Sequence, residues 1–152
     1  MKLGEALKLR SDNQKKLAEL RNRAVAGAQI QEGTRPAEST EDLLATLERL
    51  SGETKTLIQR INRTNVSVRL ASGQTLADAI VERDHRLALR TQLETVAKAA
   101  EEPQARYGRS EIRVVRTVEP AKLRKRADDL SREHRILDVA LQEANWTIDL
   151  ID

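Results

Sequence analysis

The sequence predicts a mainly α protein: an elongated four-helix bundle with two short β-like connecting segments, at about 66–70 and 111–118. Three observations carry this. Apolar residues recur every three or four positions over four stretches of about 25 residues, the period of one helix face. Gly, Pro, Ser and Asn stand where those stretches break. The apolar residues are almost all aliphatic, with one Trp, one Tyr, no Phe and no Cys in 152 residues. A single helical domain over 1–152 follows, with helices at about 2–31, 40–63, 75–102 and 120–146.

The first helix is marked by Leu3, Leu7, Arg10, Gln14, Leu17, Arg21, Ala24 and Ala28, widened by Ala6 and Leu20. Gly27 weakens it by about 1 kcal/mol without ending the pattern; Gly33 and Pro36 end it. Ser39, with Asp42 three residues on, caps the second helix. Leu43, Leu47, Leu50, Leu57, Ile58 and Ile61 form its stripe, and Asn65 reads as a left-handed stop. Val66, Val68 and Leu70 then alternate at strand spacing before the turn Ser72-Gly73. Thr75 and Asp78 open the third helix, which ends near Glu102 because Pro103 disfavours helical geometry in its predecessor. Ile112, Val114 and Val118 form the second β-like piece, and Pro120 suits the first position of the fourth helix. Its stripe is Leu123, Ala127, Leu130, His134, Leu137, Leu141 and Ala144, running to Trp146 and an apolar tail.

Composition excludes whole classes of function. Trp146 and Tyr107 alone cannot build the stacked aromatic platforms that read single-stranded nucleic acid. Without Cys there is no disulfide, thiolate nucleophile or Cys-based zinc site. The N-terminus has no apolar run typical of a secretory signal and no window approaches a membrane span, so a cytoplasmic protein with no membrane partner is expected. The formal charge is +3. Residues 1–31 carry seven basic and three acidic groups, whereas 119–152 carry six and eight. Both signs interleave, as on a solvated helix surface.

The Gly positions form neither a P-loop nor a dinucleotide fingerprint, and no G-x-S-x-G elbow exists. No catalytic residues and no cofactor are therefore expected. Glu82 and His85 make one E-x-x-H pair, a weak metal-ligand candidate; a di-metal site needs a second pair, and Ser131 stands where His134 would need its Glu. More informative is the polarity inside the stripes. Arg10, Gln14, Arg21, Arg83 and Arg90 occupy positions where Leu would be more stabilising. A buried charge must be paired, so these side chains meet acids such as Asp12, Glu82, Asp84 or Glu94 in a polar network, run their stems along the bundle edge, or line a ligand-binding polar pocket. Asn62 and Asn65, one turn apart and flanked by Arg60 and Arg63, either satisfy a helix end or form a polar patch near the start of the third helix. Arg10, Gln14, Arg21, Asn62, Arg63, Asn65, Glu82, Arg83, Asp84 and Trp146 are the network or interface candidates.

The pieces LKLRSDNQKKLAELRNR, RINRTN, TLADAIVERD, RYGRSEIRVV and EANWTIDL occur in that order over most of the chain. In these pieces the sequence resembles the septicolysin-like family of small bacterial proteins. The resemblance implies a mostly helical fold and no catalytic residues to carry over. The reading reached is a non-enzymatic, self-associating helical protein of unknown cellular role, with the β-like pieces as the oligomerisation device and no known small-molecule ligand. The alternatives are nucleic-acid binding through Lys8, Lys15, Lys16, Arg21 and Arg23, and metal binding through Glu82 and His85.

Overall fold

A computed structural model describes residues 1–102 and 114–152. Four helices make up most of them: α1 (Leu3–Gly27), α2 (Thr40–Ser67), α3 (Leu76–Glu101) and α4 (Pro120–Thr147). The mainly α, four-helix class is as the periodicity predicts. The helices divide between two compact units, one formed by Met1–Leu76 with Glu143–Asp152, the other by Ala77–Gln142.

In the first unit α1 and α2 pack against each other, antiparallel. Gly27 meets Thr40 at one end, where the Thr40 hydroxyl donates to the Gly27 carbonyl at 3.1 Å. This contact explains why α1 stops at Gly27 and not near Gln31: the last carbonyl is satisfied there, and Ala28 closes the turn with a hydrogen bond to Val25. An added Cβ at Gly27 would lie 2.7 Å from the Thr40 hydroxyl oxygen. The loop turns at Gly33, whose φ of 83° suits glycine. Ser39 caps α2 as expected, accepting from the Asp42 amide at 3.2 Å.

Asn65 does not stop α2. No non-glycine residue described has positive φ, and the helix runs on until the Val68 amide bonds to Thr64. The β-like segment 66–70 is thus half helix. What remains of it is one antiparallel bridge, Arg69 to Thr75, around a tight turn at Gly73. It folds back on its own loop, so it supplies no free strand for another chain. Of the second β-like piece, residues 111–113 lie outside the described residues, and 114–119 form no strand.

The core of the first unit is Leu3, Ala6 and Ala24 of α1 against Leu43, Leu57 and Ile61 of α2, joined by Leu76, Ala144 and Leu150. In the second unit α3 and α4 run antiparallel over Ala79, Ala97, Ala127, Leu130 and Leu141. Three of these five positions are alanine. Few large side chains are therefore fully enclosed, and many apolar ones stay half-buried or exposed.

Candidate functional site

The two chain ends are tied together in the first unit. The Leu3 amide, an orphan donor at the start of α1, bonds to the Ile148 carbonyl at 2.9 Å, and the Leu150 amide to the Met1 carbonyl at 2.9 Å. Lys2 and Asp149 form an antiparallel bridge. The Lys2 ammonium lies 2.9 Å from the Asp149 carboxylate and also donates to the Thr147 carbonyl. The hydrogen bond from Lys2 to Asp149, reinforced by the lysine's charge and the N-terminal ammonium, holds the Asp149 carboxyl below the usual range. On the α2 side, the fully buried Thr64 hydroxyl accepts from the Ile151 amide at 3.0 Å while donating to the Arg60 carbonyl at 2.9 Å. Arg60 itself reaches the Ile151 carbonyl and the Asp152 carboxylate.

Trp146 stands on this clasp. A Cβ placed on Gly4 would lie 3.0 Å from the Asn145 carbonyl oxygen and 3.1 Å from the indole Cε3. Gly4 is therefore what lets the last turn of α4 and the indole lie directly on α1. The indole is held from one side and 64% exposed on the other. Met1 and Val66 are also more than half exposed in the same unit.

The remaining candidates of the first unit do not converge. Arg10 is half-buried, with its Nε enclosed and without a hydrogen-bond partner. Gln14, one turn on, is exposed, and Arg21 is exposed with a 3.5 Å approach to Asn22. Asn62 and Arg63 face solvent and Asn65 is half-buried. Since α2 continues past them, none of the three satisfies a helix end; Thr64 between them is the residue that matters. Of the basic set on α1, Lys8 pairs with Asp12, and Arg23 holds Glu38 through Nε and Nη2, which lowers the Glu38 carboxyl's pKa and raises its own.

In the second unit the polar stripe residues do meet. Arg83 pairs with Asp84 at 2.8 Å on its own helix and with Asp138 of α4 at 3.3 Å. One turn on, Arg86 bonds Glu82 at 2.9 Å and donates across to the Glu133 carbonyl at 3.1 Å. Arg90 takes Glu94 at 3.1 Å, and at the far end Arg124 of α4 grips Glu101 of α3, lowering the pKa of that carboxyl. Glu82, Arg83 and Asp84 are thus parts of a ladder of ion pairs along the α3–α4 seam. Arg86, Glu133 and Asp138 escaped sequence reasoning, although Arg86 sits at i+4 from Glu82, the spacing of a helical ion pair. Glu82 is engaged by Arg86, and His85 is exposed. Among the described residues no group of three or more His, Cys, Asp or Glu could hold a metal ion, and no helix is long and apolar enough to cross a membrane.

A family model described as a family of unknown function, DUF6847, matches residues 10–150. The chain belongs to this family. It is also similar to a functionally unknown conserved protein from Corynebacterium diphtheriae, known from a crystal structure: 40% identity, 99% of each chain covered, TM-score 0.88. No curated protein matches. These matches correct the septicolysin-like assignment, to which neither the family nor the structural relative points. Of the two pieces that carried it most, RINRTN is an amphipathic stretch inside α2, with Ile61 and Thr64 buried and Asn62 and Arg63 exposed. Such a pattern follows from helix packing as much as from descent. The other, at 106–112, lies outside the described residues.

Proposed function

We propose that this protein of unknown cellular role acts as a cytoplasmic, self-associating interaction module and not as an enzyme. The observation that carries the reading is Trp146. The chain's one tryptophan is 64% exposed, yet packs against α1 at Gly4, where an added Cβ would lie only 3.1 Å from the indole. A large aromatic seated on one face and mostly in water offers docking area with only two side-chain torsions to freeze, and Trp is among the residue types enriched at interface hot spots. The α3–α4 seam supports a structural use of its charges. Arg83, Arg86 and Arg90 each hold a carboxylate of this chain, which leaves them committed to helix pairing and not to a substrate. The test is the solution mass of the full chain over micromolar concentrations, for the natural sequence and for Trp146→Ala. A concentration-dependent mass above that of one chain, lowered by Trp146→Ala, supports the proposal; one-chain mass throughout overturns it.

A further inference from the structure

The polarity of α3 is inverted relative to an ordinary solvated helix. Its charges turn toward α4: Arg83 and Arg86 reach across to Asp138 and the Glu133 carbonyl, and Glu101 to Arg124. On the opposite face Val81, His85, Ala88, Gln92, Thr95 and Ala99 follow at spacings of four and three, the heptad period of a helix seam. All six are exposed. None is Asp, Glu, Lys or Arg, although nine of the 26 residues of α3 are. Val81 is 70% exposed and Val96, bordering the stripe, 47%. A helix whose outer side meets only water carries its charges there.

We infer that this face of α3 pairs, antiparallel, with the same face of a second copy of this chain. The inference rests on the self-association already proposed, and adds a contact in the second unit that does not use Trp146. Charge and register select the occupant. About a two-fold axis level with residue 90, His85 lies across from the partner's Thr95, Ala88 from the partner's Gln92 and Val81 from the partner's Ala99. Each bulkier side chain then meets an alanine or a threonine. Asp84 and Lys98 flank the stripe on one side, and both are exposed. In this register Asp84 comes within two residues' rise, about 3 Å, of the level of the partner's Lys98. The two-fold axis forms that opposite-charge pair twice, and flanking charges set the orientation of paired helices. Within the chain Lys98 approaches Glu102 at 3.7 Å, too long for a hydrogen bond that would hold its ammonium. On the other flank Leu89 meets the partner's Leu89. A parallel pair would stack His85 on the partner's His85 and Gln92 on the partner's Gln92, and would bring no opposite charges together.

The test is sedimentation of the 152-residue chain carrying Trp146→Ala, which isolates the α3 contact, with and without changes on α3. Asp84→Lys sets like charges opposite each other at both pairs and is expected to weaken association about tenfold. Adding Lys98→Asp restores opposite charges and is expected to recover it. Ala88→Glu puts a charge at the centre of the seam and is expected to abolish association. All three positions are exposed, so these variants keep the fold. One-chain mass of Trp146→Ala at concentrations where the natural sequence associates overturns the inference and leaves the Trp146 contact standing. Association unchanged by Asp84→Lys or by Ala88→Glu, or not recovered by the added Lys98→Asp, also overturns it. Association untouched by Trp146→Ala but lost in Ala88→Glu supports it and removes the Trp146 reading. One-chain mass of the natural sequence throughout overturns both.

Discussion

Two buried threonines on α2 allow a controlled measurement of the C-terminal clasp. Thr54 and Thr64 are 5% and 0% exposed, and each hydroxyl donates to the carbonyl four residues back, Leu50 at 2.7 Å and Arg60 at 2.9 Å. Only Thr64 also accepts, from the Ile151 amide. Valine has nearly the shape of threonine, so each substitution removes a hydroxyl and little packing. In Thr54→Val the lost bond is a local back-bond of small net value, and Leu50 keeps its helical partner; the expected change is within about 0.5 kcal/mol. In Thr64→Val the part-buried Ile151 amide loses its acceptor, which costs about 1–3 kcal/mol. For a chain of this length that is roughly 2–4 °C in Tm per kcal/mol. Urea unfolding followed by circular dichroism and by Trp146 fluorescence gives the difference, and hydrogen exchange at the Ile151 amide localises it. Equal effects of the two substitutions, or unchanged Ile151 exchange in Thr64→Val, would refute the assignment of the clasp.

The carboxyls of Asp149, Glu38 and Glu101 are all held below their usual range by hydrogen bonds from Lys2, Arg23 and Arg124. A carboxyl depressed in the folded state stabilises above its unfolded value, near 4, and that stabilisation is lost as pH falls through the folded value. Stability is therefore expected to stay level from neutral pH to about pH 5. It should then decline below about pH 4, less steeply in Asp149→Asn, as pH-dependent thermal melts will show. These pairs are exposed, so the decline is shallow and weakens further with salt. Arg86→Met keeps the aliphatic stem but removes the bonds to Glu82 and the Glu133 carbonyl. We expect a loss of about 1 kcal/mol, after discount for the quarter-exposed side chain. Arg49→Met, an exposed pair, should cost less than about 0.5 kcal/mol in the same denaturation assay.

The helices were legible because each has an aliphatic stripe and recognisable ends: Ser39 caps α2 and Pro120 opens α4 at the residues expected. The misreadings concern places where a tertiary partner overrides local preference. Gly27 ends α1 because Thr40 reaches its carbonyl. Asn65 stays helical because Thr64 beside it anchors the C-terminal tail. Val66–Leu70 alternates like a strand, yet Val66 is an exposed residue of the last turn of α2. Arg83 was legible as a network residue because a charge on an apolar stripe demands a partner. Its acid on α4, Asp138, was not, because pairing between helices depends on register, which no single-helix pattern encodes.

Sedimentation velocity on the 152-residue chain across micromolar concentrations tests the central claim most directly, because it reads association without a ligand. The account predicts species heavier than the 17.1 kDa chain. It also predicts that Trp146→Ala weakens association by roughly thirtyfold, as loss of a hot-spot residue of about 2 kcal/mol requires. A single 17.1 kDa species at every concentration, or an association untouched by Trp146→Ala, would contradict it.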